Sequence, residues 1–146
     1  MSRLMEFTIT GFPVPPSVNA LYRFGHGKVH KSKSYKEYER SVYAWINANQ
    51  AQVKGVREFL KDISPYVLDV SAMFYMPRTE IVCLDGRPKR NDTSNRLKAL
   101  HDALSAAILG IDDCYFWSGG FNKCPADEPS VEIIFKLRMI DETATA

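Results

Sequence analysis

Between Arg90 and Asp113 the chain concentrates residues able to hold a cation and act on a phosphodiester. The stretch begins Arg90-Asn91-Asp92-Thr93-Ser94-Asn95-Arg96-Leu97-Lys98. It continues through Asp102 to Gly110-Ile111-Asp112-Asp113. Carboxylates from two chain segments suit Mg2+, a hard ion that takes few protein oxygens and keeps several waters. An ion so held polarises a phosphate and acidifies a bound water. A lysine such as Lys98 stabilises charge that grows on the phosphate in the transition state.

These residues need an element to align them, and the spacing predicts a helix from about Thr93 to Leu109, stopped by Gly110. At about 100° per residue, with Asp92 as zero, Leu97, Leu100, Leu104 and Ile108 fall between roughly 80° and 160°. Asn95, Lys98 and Asp102 fall between roughly 240° and 300° on the far side. One face therefore packs and another presents an amide, an ammonium and a carboxylate. Asp92 lies at the start of the helix, and Asp112-Asp113 follows its end. A strand beside the helix could return Asp113 towards Asp92 and Lys98. His101, near 180°, is expected at the surface. Taken singly, Asp92 reads as a helix cap, Asp112-Asp113 as a turn and Lys98 as a solvated lysine. Their co-occurrence is what points to chemistry.

The rest of the chain is expected to be one α+β domain over 1–146, with the tail 141–146 disordered. About five short strands should form a mixed or antiparallel sheet beside two main helices. Met5–Thr10 is read as a strand that ends at Pro13, Pro15 and Pro16. Ser17–Lys33 is a loop or ragged hairpin, and Ser34 to about Gln50 an amphipathic helix on Tyr38, Val42, Trp45 and Ile46. Val53–Ser64 is a mixed link, Tyr66–Met76 a strand and Arg78–Arg90 a polar loop. Cys114–Trp117, Gly120–Cys124 and Val131–Arg138 complete the strands, with Phe116 and Trp117 in the core.

A net charge of +2 says little, but its distribution says more. Lys28, Lys31 and Lys33 lie in one basic segment, and Arg87, Lys89, Arg90 and Arg96 in a second with Lys98. These are the candidates for gripping DNA phosphates. Tyr22, Phe24, Tyr35, Tyr38 and Tyr43 interleave with the first segment and could stack on unpaired bases, although such rings are more often core or interface side chains. Three cysteines without a CxxC pair read as reduced thiols of a cytoplasmic protein. The apolar stretch Ala103–Ile111 is too short to cross a bilayer, so no membrane partner is expected.

This pattern resembles the RusA family of Holliday-junction resolvases. In that family Asp-x-Asp-Asn-x-x-Lys leads into a helix with Asp-Ala-Leu, followed by Asp-Asp before a strand. Asp92, Asn95, Lys98, Asp102-Ala103-Leu104 and Asp112-Asp113 match it without gaps. Pro13-Val14-Pro15-Pro16-Ser17-Val18-Asn19 and the Lys31–Tyr43 segment resemble the family's opening more weakly. The resemblance implies a RusA-like fold and a structure-selective endodeoxyribonuclease that resolves four-way junctions by paired nicks in recombination and repair. It implies catalytic Asp92, Lys98 and Asp113, with Asp92 and Asp113 on Mg2+ (Mn2+ as a substitute) and Asn95 in support. It also implies a homodimer acting on branched DNA in the cytoplasm of a bacterial or phage-infected cell.

One departure stands out. Ser94 occupies the position of the motif's second aspartate. Ser94 could bind through water, Asp102 or Asp112 could supply the missing charge, or the metal site could be weakened. The alternative function is therefore a branched-DNA-binding protein that cuts weakly or not at all. An interaction module without a nucleic-acid role is a third reading, and it gives no reason for Asp92, Asn95, Lys98 and Asp113 to occur together.

Overall fold

A computed structural model describes residues 3–16, 22–25, 28–31, 33–89 and 93–140, with 22–25, 28–31 and 93–95 described by their backbone. Strand β1 (Glu6–Phe12) is followed by a hairpin of β2 (Tyr22–Gly25) and β3 (Lys28–Lys31). Helices α1 (Lys33–Ala48) and α2 (Gln50–Phe59) lead to the long strand β4 (Tyr66–Met76). A short helix α3 (Arg78–Ile81) precedes α4 (Thr93–Ala103), which runs on into a wider π turn at Leu104–Leu109. The chain then forms a 3-10 turn at Asp113–Tyr115 and strands β5 (Phe116–Ser118), β6 (Phe121–Pro125) and β7 (Ser130–Met139).

The five-stranded sheet is mixed. β7 lies between β1 and β4 and is antiparallel to both. β5 and β6 both run parallel to β4 along its other side. This is the α+β architecture expected, with β2 and β3 forming a separate two-stranded sheet in the predicted hairpin region.

Alternation builds the sheet. In β4, Val70, Ala72, Phe74 and Met76 are buried, while Asp69, Ser71, Met73 and Tyr75 between them are only partly buried. Val131, Ile133, Phe135 and Leu137 of β7 are buried in the same way. The buried residues join Ile9 and Phe12 of β1 and the apolar sides of the helices in one core. Tyr38, Val42 and Trp45 of α1 recur at four and three residues and are buried there, as their spacing predicts. Trp45 meets Phe12 edge-on with ring centroids 5.1 Å apart.

Two expectations need correction. Val53–Ser64, read as a link, is largely α2, whose Val53, Val56 and Phe59 are buried. Gly55, a poor helix former, obscures that pattern in sequence, yet it packs where a Cβ would lie 2.7 Å from the Phe7 ring. Trp117, expected in the core, is 47% exposed. It alternates with Phe116, which packs against the core, so Trp117 faces the other way.

Between β5 and β6 the chain passes too close to β4 for a side chain. Gly119 has φ +137°, and a Cβ there would lie 1.8 Å from the Val70 carbonyl oxygen. The contact continues one residue on, where Ala72 N–H donates to the Gly120 carbonyl at 2.9 Å. Glycine is required at 119 both by backbone conformation and by space.

Candidate active site

The predicted helix carries its apolar stripe as the spacing demands. Leu100, Leu104 and Ile108 are fully buried and Leu97 packs beside them. Each fully buried aliphatic side chain contributes roughly 1.5–3 kcal/mol, so the packing face fixes the rotation of α4. Lys98 and Asp102, on the opposite side, are exposed.

The helix ends by unusual means. Ser105 N–H lies inside the π turn, and its carbonyl accepts from Gly110 N–H at 3.1 Å. Gly110 adopts the left-handed conformation, φ +64°, that closes many helices. The Ser105 hydroxyl donates to the Ile111 carbonyl at 2.7 Å. These bonds turn the chain sharply towards Asp112. The Asp112 carboxylate then accepts from Cys114 N–H at 2.8 Å and starts the 3-10 turn that carries Asp113. That backbone bond, followed by a hydrogen bond with Asp113, holds the Asp112 carboxyl below its usual range. Asp112 is thus the capping residue of this turn.

Asp113 lies near enough to α4 for its charge to act on that helix. Burial pushes the Asp102 carboxyl up, Lys98 pulls it down, and Asp113 pushes it up again. Burial holds the His101 imidazole below its usual value, partly offset by Asp102 and Asp113. Lys98, His101, Asp102 and Asp113 therefore share one electrostatic neighbourhood, assembled from α4 and the turn before β5. The return of Asp113 was expected towards Asp92 and Lys98; among the described residues its charge acts on Asp102 and His101, and Asp92 lies outside them.

His101 was expected at the surface, and here the structure differs. Its ring meets Phe116 of β5 edge-on at 5.3 Å, and its Nε2 is buried without a hydrogen-bond partner among the described residues. A helical angle between the apolar and polar faces gave no sign of this, because the Phe116 contact depends on how β5 docks.

Other predicted residues are more dispersed. Asp92 and Arg90 lie outside the described residues, as do the side chains of Ser94, Asn95, Lys28 and Lys31 and the tail 141–146. Arg96 donates to the Pro15 carbonyl at 2.7 Å and so ties α4 to the proline segment. Arg87 pairs with Asp85 at 2.6 Å, and the Lys89 ammonium donates to the Thr79 carbonyl at 3.1 Å. Lys33 stays highly exposed beside Glu37 at 3.8 Å. Among the described residues, no group of three or more histidine, cysteine or acidic side chains stands ready to hold a metal. Asp102 and Asp113 interact electrostatically, and Mg2+ is commonly held by one or two carboxylates together with substrate phosphates.

The result is a small α+β domain that sets an acid- and lysine-bearing helix beside a mixed sheet. The chain belongs to the RusA family: the family model Endodeoxyribonuclease RusA matches residues 12–136 of 146. The family consists of endodeoxyribonucleases that resolve Holliday junctions and generally depend on a divalent metal. No curated protein sequence matches the chain. No helix among the described residues is long and apolar enough to cross a membrane.

Proposed function

We propose that the protein cuts four-way DNA junctions by paired, Mg2+-dependent nicks, using the site around α4 and Asp113. The observation that carries this reading is that Lys98 on α4 and Asp113 in the turn before β5, two separate chain segments, both act on the Asp102 carboxyl. Asp113 and Asp92 are the principal carboxylates for the ion, with Asp102 beside Asp113 able to supply charge where Ser94 replaces an aspartate. Asp112 has a different task, holding the 3-10 turn through Cys114 N–H. Bound Mg2+, for which Mn2+ can substitute, supplies phosphate polarisation and a water acidic enough to attack.

The chain's own groups do the remainder. Lys98 extends from the exposed face of α4 and neutralises charge developing on the scissile phosphate. Asn95 belongs to the same face by sequence and supports it with hydrogen bonds. Phe116 keeps one side of His101 dry and so fixes the α4 side of the site. Lys28, Lys31, Lys33, Arg87, Lys89 and Arg90 supply flanking phosphate contacts, whereas Arg96 is engaged with Pro15. A four-way junction has two-fold symmetry, and a homodimer would present two such sites for two nicks.

Cleavage of a synthetic four-way junction with Mg2+, against Asp113→Asn, tests the reading. The wild type should give two symmetric nicks, and Asp113→Asn should cut at least about 100-fold more slowly while still binding, given the usual size of such electrostatic effects. Salt-sensitive binding without metal-dependent products would sink the nuclease reading and leave a junction-binding protein.

A further inference from the structure

Beside Asp102, α1 and α4 with its π turn do not close on each other. They leave a shallow groove of about 100 Å3, open to solvent. One wall is aromatic, made of Tyr35, Tyr38 and Tyr43 of α1. The other is alanine, including Ala106 in the π turn. Glu39 and Asp102 bring carboxylates to the lining, which holds no lysine or arginine among the described residues.

Two features of this groove lack a role in packing. The Tyr38 hydroxyl is buried with no hydrogen-bond partner among the described residues, although Tyr38 is only 6% exposed. Burying a hydroxyl without a partner is unfavourable, and such groups need an explanation. Tyr43, by contrast, leaves 58% of its surface exposed beside the alanine wall. Small residues on the facing helix create a slot where larger ones would have filled it.

We propose that this groove takes one unstacked nucleobase of the DNA substrate, and prefers adenine, cytosine or guanine over thymine. The proposal rests on the nuclease reading, since Asp102 belongs to both the groove and the cation site. A flat ring stacks on tyrosine and needs a slot of low relief, which the alanines provide. Carboxylates repel phosphate but accept from an exocyclic amine. Cytosine, adenine and guanine each carry one, and thymine does not. The Tyr38 hydroxyl gains its missing partner from a ring nitrogen or carbonyl. A base held here brings its own phosphodiester towards Asp102 and Asp113, so the groove acts as a specificity element for the cut.

The test uses deoxynucleoside monophosphates and amide NMR of the whole protein without metal. Adding dAMP, dCMP or dGMP should shift the amides of Ala103, Ala106 and Tyr43, and dTMP at equal concentration should shift them far less. Ala106→Phe, at an exposed position, should abolish the response. Tyr38→Phe, which keeps the ring, should weaken binding roughly threefold to tenfold, the worth of one hydrogen bond. An equal response to dTMP, or an unchanged response in Ala106→Phe, overturns the proposal. Junction cleavage is read separately. A wild type that cuts junctions but shows no groove shifts defeats the groove alone. Groove shifts in a protein that cuts nothing defeat the nuclease reading alone.

Discussion

Arg57 of α2 donates from Nε to the carbonyl of Ile108 at 2.8 Å, and one of its terminal nitrogens reaches the Ala107 carbonyl at 3.5 Å. The guanidinium thereby covers carbonyls that a helix end leaves without partners. It also ties α2 to the π turn that aims the chain at Asp112. Arg57→Ala should lower unfolding stability by about 1–2 kcal/mol, the worth of one or two hydrogen bonds from a charged donor. Arg57→Lys should recover only part of this, because an ammonium cannot span both carbonyls in one plane. Urea unfolding of the three proteins measures the difference, and equal midpoints would contradict it.

Ser94 offers a gain-of-function test. Replacing this neutral oxygen by a carboxylate restores the charge that the family pattern carries there. Ser94→Asp should lower the Mg2+ concentration needed for half-maximal cleavage several-fold, on the scale of roughly 1 kcal/mol for an added charge-assisted ligand contact. Titration of cleavage against Mg2+ reads this directly. An unchanged midpoint would mean that Asp102 already supplies the missing charge.

His101 links the site to pH. Burial holds its pKa below the reference value of 6.5, so the unfolded chain takes up a proton at higher pH than the folded one. The unfolded state thus binds more protons in this window, and stability falls as pH drops below about 6.5. Asp102 has the opposite sign: its carboxyl is raised above 3.8, so its contribution is present below that value and fades as pH rises through the folded pKa. Metal-free unfolding followed between pH 5 and 7.5 should show a slope that flattens in His101→Gln. A slope identical in the variant would remove His101 as its cause.

Gly119→Ala should be among the most damaging single changes in the chain. Its Cβ would lie 1.8 Å from the Val70 carbonyl oxygen, at a φ of +137°. Strain of this kind costs roughly 1–3 kcal/mol before any backbone shift is counted. The expected loss is therefore at least about 2 kcal/mol, and β5 with β6 should separate from β4. Hydrogen exchange at Ala72, whose amide donates to Gly120, should accelerate more than exchange in β7. Gly120→Ala, where a Cβ meets nothing within 4 Å, serves as the mild comparison.

The legible parts of this fold are those governed by local periodicity. Leu100, Leu104 and Ile108 declare their buried face through the three-and-four spacing, and β4 declares itself through alternation. The stop at Gly110 is likewise local. Features that depend on distant docking were not legible. α2 is hidden by Gly55, whose value lies in its approach to Phe7. Trp117 looks like core until β5 is seen to place it on the outer face. His101 is half-buried and meets Phe116, fifteen residues on in the chain but adjacent in space. The effect of Asp113 on Asp102 depends on the turn that leads into β5, and β5 is held by parallel pairing with β4 far away in the chain.

That docking has a bearing on solubility too. β5 and β6 form the outer boundary of the sheet beside β4, and Gly119 breaks them into pieces of three and five residues. An unbroken strand there would offer a continuous row of unpaired amides and carbonyls to any passing chain. Short, interrupted border strands are poor templates for such addition. The constriction that carries the chain away from Asp113 thus also guards the sheet against growing into its neighbours.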